Sequence, residues 1–203
     1  MKERLTKLSQ KQVFWPAVIF LIILLFNAIV TKGEFFDITI VDGHLYGRVI
    51  DIFRNGGKLM ILAAGMTMVL ATGGTDISVG SVMAISGAIA CSIINGNLLP
   101  QAGGNVAVAI VLAILAGVLC GSWNGFLVSR IKIQPIVATM ILLVAGRGIA
   151  QLVTNGKIIT INSDAYYFIN GGYILGLPVP LYIVIILVGM LLLFVTRSAF
   201  GLF

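Results

Sequence analysis

The sequence predicts an all-α, polytopic membrane protein, and three observations carry that prediction. Of the 203 residues 59% are hydrophobic and only 10% charged, with a mean hydropathy of +1.10, whereas soluble domains carry about 25% charged residues. The 24 glycines amount to about 12% of the chain, against about 7% in ordinary usage. The apolar residues fall into six runs, at residues 14–30, 59–72, 82–94, 106–128, 136–153 and 178–195. Each run is apolar on every face, as lipid-embedded helices are, whereas a barrel would need short strands of alternating polarity. The same numbers exclude a soluble globular domain, a disordered chain, a collagen and a disulfide scaffold.

Residues 14–30 follow a basic tail bearing Lys2, Arg4, Lys7 and Lys11. The run is longer than the roughly 7–15 residues of a signal-peptide core, and no small-x-small cleavage site follows. It is expected to be an uncleaved first span, with residues 1–13 in the cytoplasm. Residues 31–58 mix Lys32, Arg48, Arg54 and Lys58 with Glu34, Asp37, Asp42 and Asp51, and are expected to form a folded extracytoplasmic segment. His44, the single histidine, lies there without a cysteine or second histidine nearby, and so reads as a surface residue rather than a metal ligand.

The runs at 59–72 and 82–94 each fall short of the roughly 20 residues that cross a bilayer. Between them stand Thr72, Gly73, Gly74, Thr75, Asp76, Ile77, Ser78, Val79, Gly80 and Ser81. Glycines and a carboxylate at such a place predict a broken or re-entrant helix pair around residues 73–81, which lipid tolerates only where the backbone is buried in protein or lines a water-filled cavity. Asp76 is the one acidic residue of the membrane-embedded portion. Two roles are open to it, a helix cap for the amides of Ser78 or Val79 and a substrate-pathway or gating group. The hydroxyls of Thr72, Thr75, Ser78 and Ser81 suit a polyol and are equally able to bond helical carbonyls.

The run at 106–128 spaces Ala109, Ala113, Gly117, Gly121 and Gly125 four apart, a stripe that lets another helix approach closely. Gly80, Ala84 and Ala88 repeat the device, as do Ala63, Thr67 and Ala71. Cys91 and Cys120 sit inside apolar runs and read as small packing residues. Trp123 and Asn124 end the fourth run, Asn124 standing with Thr72, Thr75, Asp76, Ser78 and Arg147 as a candidate pathway residue, and Gly146-Arg147-Gly148 interrupts the fifth with a full charge. Arg147, with Gln151 one turn later, either anchors near the external interface or contacts a transported molecule or a partner.

Residues 95–105 lack a basic residue and are assigned outside. Arg130 and Lys132 in residues 129–135, and Arg197 beyond the last run, are assigned inside. Residues 154–177, with Asn155-Gly156, Asn162-Ser163-Asp164 and Asn170-Gly171-Gly172, read as a turn-rich external loop whose Tyr166 and Tyr167 suit the membrane interface. The net charge of +6 is scattered at the ends of apolar runs, which argues for membrane topology and against a nucleic-acid partner. No phosphate-binding loop, GxSxG elbow or HExxH pair is present, so neither an enzyme nor a catalytic residue is expected, and no metal site.

These residues resemble the sugar permease subunits of bacterial ABC importers, the ribose, xylose and galactofuranose group. The likeness rests on Gly65-Met66-Thr67-Met68-Val69-Leu70 leading into Gly73-Gly74-Thr75-Asp76-Ile77-Ser78-Val79-Gly80, on Trp123-Asn124-Gly125, on Ile133-Gln134-Pro135-Ile136-Val137-Ala138-Thr139 and on Gly146-Arg147-Gly148. Gln134-Pro135 and Val153-Thr154-Asn155-Gly156-Lys157 look most like the galactofuranose-type branch. The resemblance implies a single transmembrane permease domain over residues 1–203 in the bacterial cytoplasmic membrane, moving a monosaccharide without a cofactor of its own. It implies as partners an ATPase subunit that binds the ATP, an extracytoplasmic sugar-binding protein and a second permease copy. It also makes Asp76, Gly73, Gly74, Ser78 and Gly80 candidates for the pathway or its packing. Thr75 departs from the isoleucine usual in that group, and the chain stops before the coupling segment, so an amino-terminal fragment is expected. Two other readings stand beside it, a non-transporting membrane scaffold and an ion-coupled secondary transporter.

Overall fold

The computed structural model describes residues 14–31, 34–41 and 44–197. The basic tail with Lys2, Arg4, Lys7 and Lys11, together with Lys32, Asp42, the His44 side chain and residues 198–203, lies outside the described residues. The fold class is all-α. Helices α1 (Phe14–Val30), α2 (Arg48–Ala71), α3 (Val79–Ile94), α4 (Val106–Ser129), α5 (Pro135–Val153), α6 (Asp164–Gly171) and α7 (Val179–Arg197) follow in order. Two small antiparallel hairpins join them, β1 (Thr39–Val41) with β2 (His44–Tyr46) and β3 (Tyr173–Ile174) with β4 (Leu177–Pro178).

All six apolar runs lie largely on helices, but among the described residues only α4, α5 and α7 are long and apolar enough to cross a membrane by themselves. α1 and α3 are apolar but shorter, with 17 and 16 residues. α2 is long enough at 24 residues but begins at Arg48, so the part of the polar segment from Arg48 to Lys58 is helix, not loop. Its charges follow a helical spacing: Asp51 lies in the first turn, where the helix dipole favours an anion, and Arg54 reaches it at 3.0 Å. The loop expected over residues 154–177 likewise contains a helix, α6, with Asp164 in its first turn, and the β3–β4 hairpin.

Two groups of packed helices form among the described residues, with α1 in neither. α3 packs against α4 and α5, and α2 packs against α7. Lipid supplies little hydrophobic drive between helices, so close approach of small residues and interhelical hydrogen bonds must hold them. In the α3–α5 seam, Ser81 Oγ donates to Ser78 O at 2.7 Å or Leu142 O at 3.1 Å, and Ser92 Oγ to Val153 O at 3.3 Å. Gly146 admits Ser81: a Cβ there would stand 2.9 Å from Ser81 Cβ. At the α2–α7 contact, a Cβ on Gly57 would meet Pro180 Cβ at 3.3 Å.

Helix directions follow from these pairs. α3 and α5 run parallel, since Ile77, Ser81 and Ser92 meet Thr139, Leu142 and Val153 in order. α4 runs against α3, with Asn124 at Ser78 and Gly117 near Ser86. The other ends of α3 and α4 close over a cluster of Ile93, Ile94, Val106 and Ala109. The two hairpins meet each other, Leu45 N donating to Gly176 O at 3.2 Å and the Tyr46 and Tyr173 rings lying 5.3 Å apart. They gather where α2 and α7 begin, at the far end of α2 from the break.

Candidate functional site

The break between α2 and α3 builds the site. α2 stops at Thr72 and Gly73, whose amides bond Val69 O at 3.2 Å and Leu70 O at 3.0 Å. Gly73 takes φ +74°, a left-handed conformation open to glycine because it has no Cβ to clash. The chain then runs irregularly until Ser78 O accepts the amides of Ser81 and Val82. Asp76 sets that restart: its Oδ1 accepts from Ser78 N at 2.7 Å and from Ser78 Oγ at 2.6 Å. The irregular backbone is also held from outside, since Ile77 N donates to Thr139 Oγ1 on α5 at 3.4 Å.

The non-helical stretch leaves a cavity of about 430 Å³ among the break, the last turns of α4 and the first turn of α5, lined by Thr72, Gly73, Gly74, Thr75, Asp76, Gly121, Asn124, Gly125, Val128, Pro135 and Thr139, with Val69. Its volume falls within the roughly 300–1,000 Å³ of small-molecule sites. At 1.5 Å per residue, Gly121 and Gly125 place it ~6–12 Å inside the α4 terminus. A second cavity of about 240 Å³ shares Asp76, Gly121 and Asn124 and continues along α3 and α4 past Ser78 and Gly117.

Polar atoms of the lining divide into committed and uncommitted. Thr72 Oγ1 bonds Val69 O at 2.7 Å, and Thr139 Oγ1 bonds Pro135 O at 3.0 Å or Ile136 O at 3.2 Å. Ser78 is wholly buried and receives Asn124 Nδ2 on its hydroxyl oxygen at 3.0 Å. Asn124 is 7% exposed, and its Oδ1 is buried with no hydrogen-bond partner, an arrangement that costs roughly 1–3 kcal/mol. Asp76 is the one charged residue of the lining.

The structure thus gathers Thr72, Thr75, Asp76, Ser78 and Asn124 around two adjoining cavities, with Gly73, Gly74, Gly117, Gly121 and Gly125. It does not bring Arg147 to them. That residue is exposed on α5, with no ion pair or hydrogen bond among the described residues. The glycine stripe divides: a Cβ on Gly117 would touch Ser86 Oγ at 3.7 Å, whereas Gly121, Gly125 and Gly80 face open space. Gly121 and Gly125 line the cavity opposite the unwound break, where no helix of this chain packs on them among the described residues. Thr139 stands in one of the stretches that carry the resemblance but is not singled out there as a site residue. Its signal was a hydroxyl one turn after Pro135, the residue that starts α5.

Comparison with known proteins places the chain in a family. The family model described as the branched-chain amino acid transport system / permease component matches residues 48–203. The chain belongs to this permease family. Among curated relatives, the galactofuranose transporter permease protein of Escherichia coli K12 is 39% identical over 203 residues, covering 98% of this permease chain and 58% of the relative. The fructose import permease protein of Bifidobacterium longum is 32% identical over 78% of the chain and 44% of its own length. The ribose import permease protein of Haemophilus influenzae is 32% identical over 66% of the chain and 41% of its own length. The permease chain therefore spans about half the length of these relatives. No solved structure matches it. With its apolar helices, it is a multi-pass membrane protein.

Proposed function

We propose that this permease is the membrane component of an ABC importer that carries a monosaccharide across the bacterial cytoplasmic membrane, energised by a separate ATPase subunit. The observation that carries the substrate class is the cavity lining: hydroxyls, an amide and one carboxylate, with no lysine or arginine among the lining residues. The family description names branched-chain amino acids, but an amino acid brings a carboxylate as well as an ammonium group. Within a membrane such a carboxylate needs a paired cation. An uncharged polyol needs only hydrogen bonds, and the named relatives are a galactofuranose, a fructose and a ribose permease.

The amino terminus lies in the cytoplasm in this reading. α1 then crosses outward, the paired hairpins face the sugar-binding protein, and the break with its cavity lies toward Arg130, Lys132 and the ATPase. A second permease copy completes the pathway. The test expresses the full-length protein with its ATPase and binding protein in a host lacking sugar importers, and follows uptake of labelled D-ribose, D-fructose, D-galactose and leucine. ATP-dependent accumulation of a sugar without leucine is expected. Leucine uptake, or no uptake of any sugar, would overturn the proposal.

A further inference from the structure

We infer that Asp76 and Asn124 form a paired acceptor site that reads two adjacent hydroxyls of the carried molecule, and that Asn124 sets selectivity; this rests on the sugar reading above. Both side chains hang on one hydroxyl. Ser78 Oγ donates to Asp76 Oδ1 at 2.6 Å and accepts from Asn124 Nδ2 at 3.0 Å. The orientation of the amide follows from proton accounting. The single Ser78 proton is committed to the carboxylate, so turning the amide over would set its oxygen against another acceptor. Asn124 Oδ1 is therefore left without a donor. Asp76 Oδ2 also makes no hydrogen bond among the described residues, but on a half-buried residue it remains open to the cavities rather than buried.

The two unused groups are both acceptors, and both residues belong to the walls of both cavities. Their complement is a ligand with two neighbouring O–H donors, which a vicinal diol provides. Recognition at this shared wall engages the ligand with the start of α3 and with α4 together, where it passes from one cavity to the next.

The test uses the full-length importer in cells. Uptake efficiency, Vmax/KM, is measured for whichever of D-ribose, D-fructose and D-galactose is carried best and for its monodeoxy analogues, in wild type and in Asn124→Leu. A site built to bond a hydroxyl rejects the analogue lacking it, here by at least about tenfold in the wild type at each of two neighbouring positions. Because Asp76 keeps the hydroxyl it reads, the near-isosteric Asn124→Leu is expected to erase the preference at one position and keep that at its neighbour, at unchanged membrane abundance. Equal efficiency for the sugar and every monodeoxy analogue in the wild type would overturn the inference without any variant. So would an unchanged preference at both positions in Asn124→Leu. A wild type that carries no sugar at all removes the sugar reading, and this inference with it.

Discussion

Two glycines on α5, two residues apart, should respond to the same substitution with opposite signs. Gly148 has nothing within 4 Å of an added Cβ, so Gly148→Ala should gain the roughly 0.5–1 kcal/mol that alanine holds over glycine inside a helix. Gly146 is buried, and its Cβ would stand 2.9 Å from Ser81 Cβ, 3.1 Å from Ser81 Oγ and 3.2 Å from Ile85 Cδ1. Ser81 Cβ is fixed to the backbone and cannot swing away, so α3 and α5 must separate, an overpacking cost of roughly 1–3 kcal/mol. The helix-propensity gain is common to both variants, so that cost is the gap between them. At roughly 2–4 °C per kcal/mol for a chain of this size, it corresponds to about 2–12 °C in melting temperature. The assay is thermal unfolding of the detergent-solubilised protein, followed by loss of the monodisperse peak on size exclusion. Gly146→Ala melting at or above Gly148→Ala would refute the argument that this seam is set by backbone approach.

Asp76→Ala leaves the buried Ser78 amide without its acceptor and should lower stability by about 1–3 kcal/mol, the cost of an unpaired buried donor. Asp76→Asn keeps an acceptor oxygen, so it should insert and melt normally while losing uptake; normal uptake would confine Asp76 to capping. Gly121→Leu enters open space and should leave the melting temperature unchanged while cutting uptake by more than about tenfold, a loss of at least about 1.4 kcal/mol in transition-state terms. Unchanged uptake would show that the cavity is not on the route. Gly73→Ala meets no neighbour, but its φ of +74° should cost about 1–2 kcal/mol in a melting measurement, whereas Gly74, at ordinary φ with its nearest neighbour 3.6 Å away, should tolerate alanine better.

The break was legible in the sequence because glycine, hydroxyls and a carboxylate interrupt an apolar stretch, and no lipid-facing helix tolerates that composition. The start of α2 was not, because Arg48, Asp51, Arg54 and Lys58 read as polar loop until Asp51 and Arg54 are seen one turn apart. The glycine stripe was legible as a stripe, but spacing alone does not say what faces it. Gly117 meets Ser86, while Gly121 and Gly125 meet the unwound break, and that difference depends on where α3 begins. Arg147 stood out as a charge in an apolar run, yet depth and neighbours are tertiary facts. Thr139 was hidden for the opposite reason: a threonine in an apolar helix is unremarkable until a backbone amide 62 residues away is found on its hydroxyl.

The two roles open to Asp76 compete only if a carboxylate is treated as one acceptor. Here Oδ1 holds the Ser78 amide and hydroxyl, while Oδ2 stays unengaged at a residue that lines both cavities. The cap also has a consequence for the wall. By drawing the Ser78 proton to itself, Asp76 leaves the Ser78 oxygen to accept from Asn124, which fixes the amide nitrogen toward Ser78 and leaves the amide oxygen without a partner. The bond that restarts α3 after the break is thus the same bond that prepares the polar edge between the cavities. A substitution that frees the Ser78 proton would let it turn to the Asn124 oxygen, so loss of the cap and loss of the free acceptor should occur together.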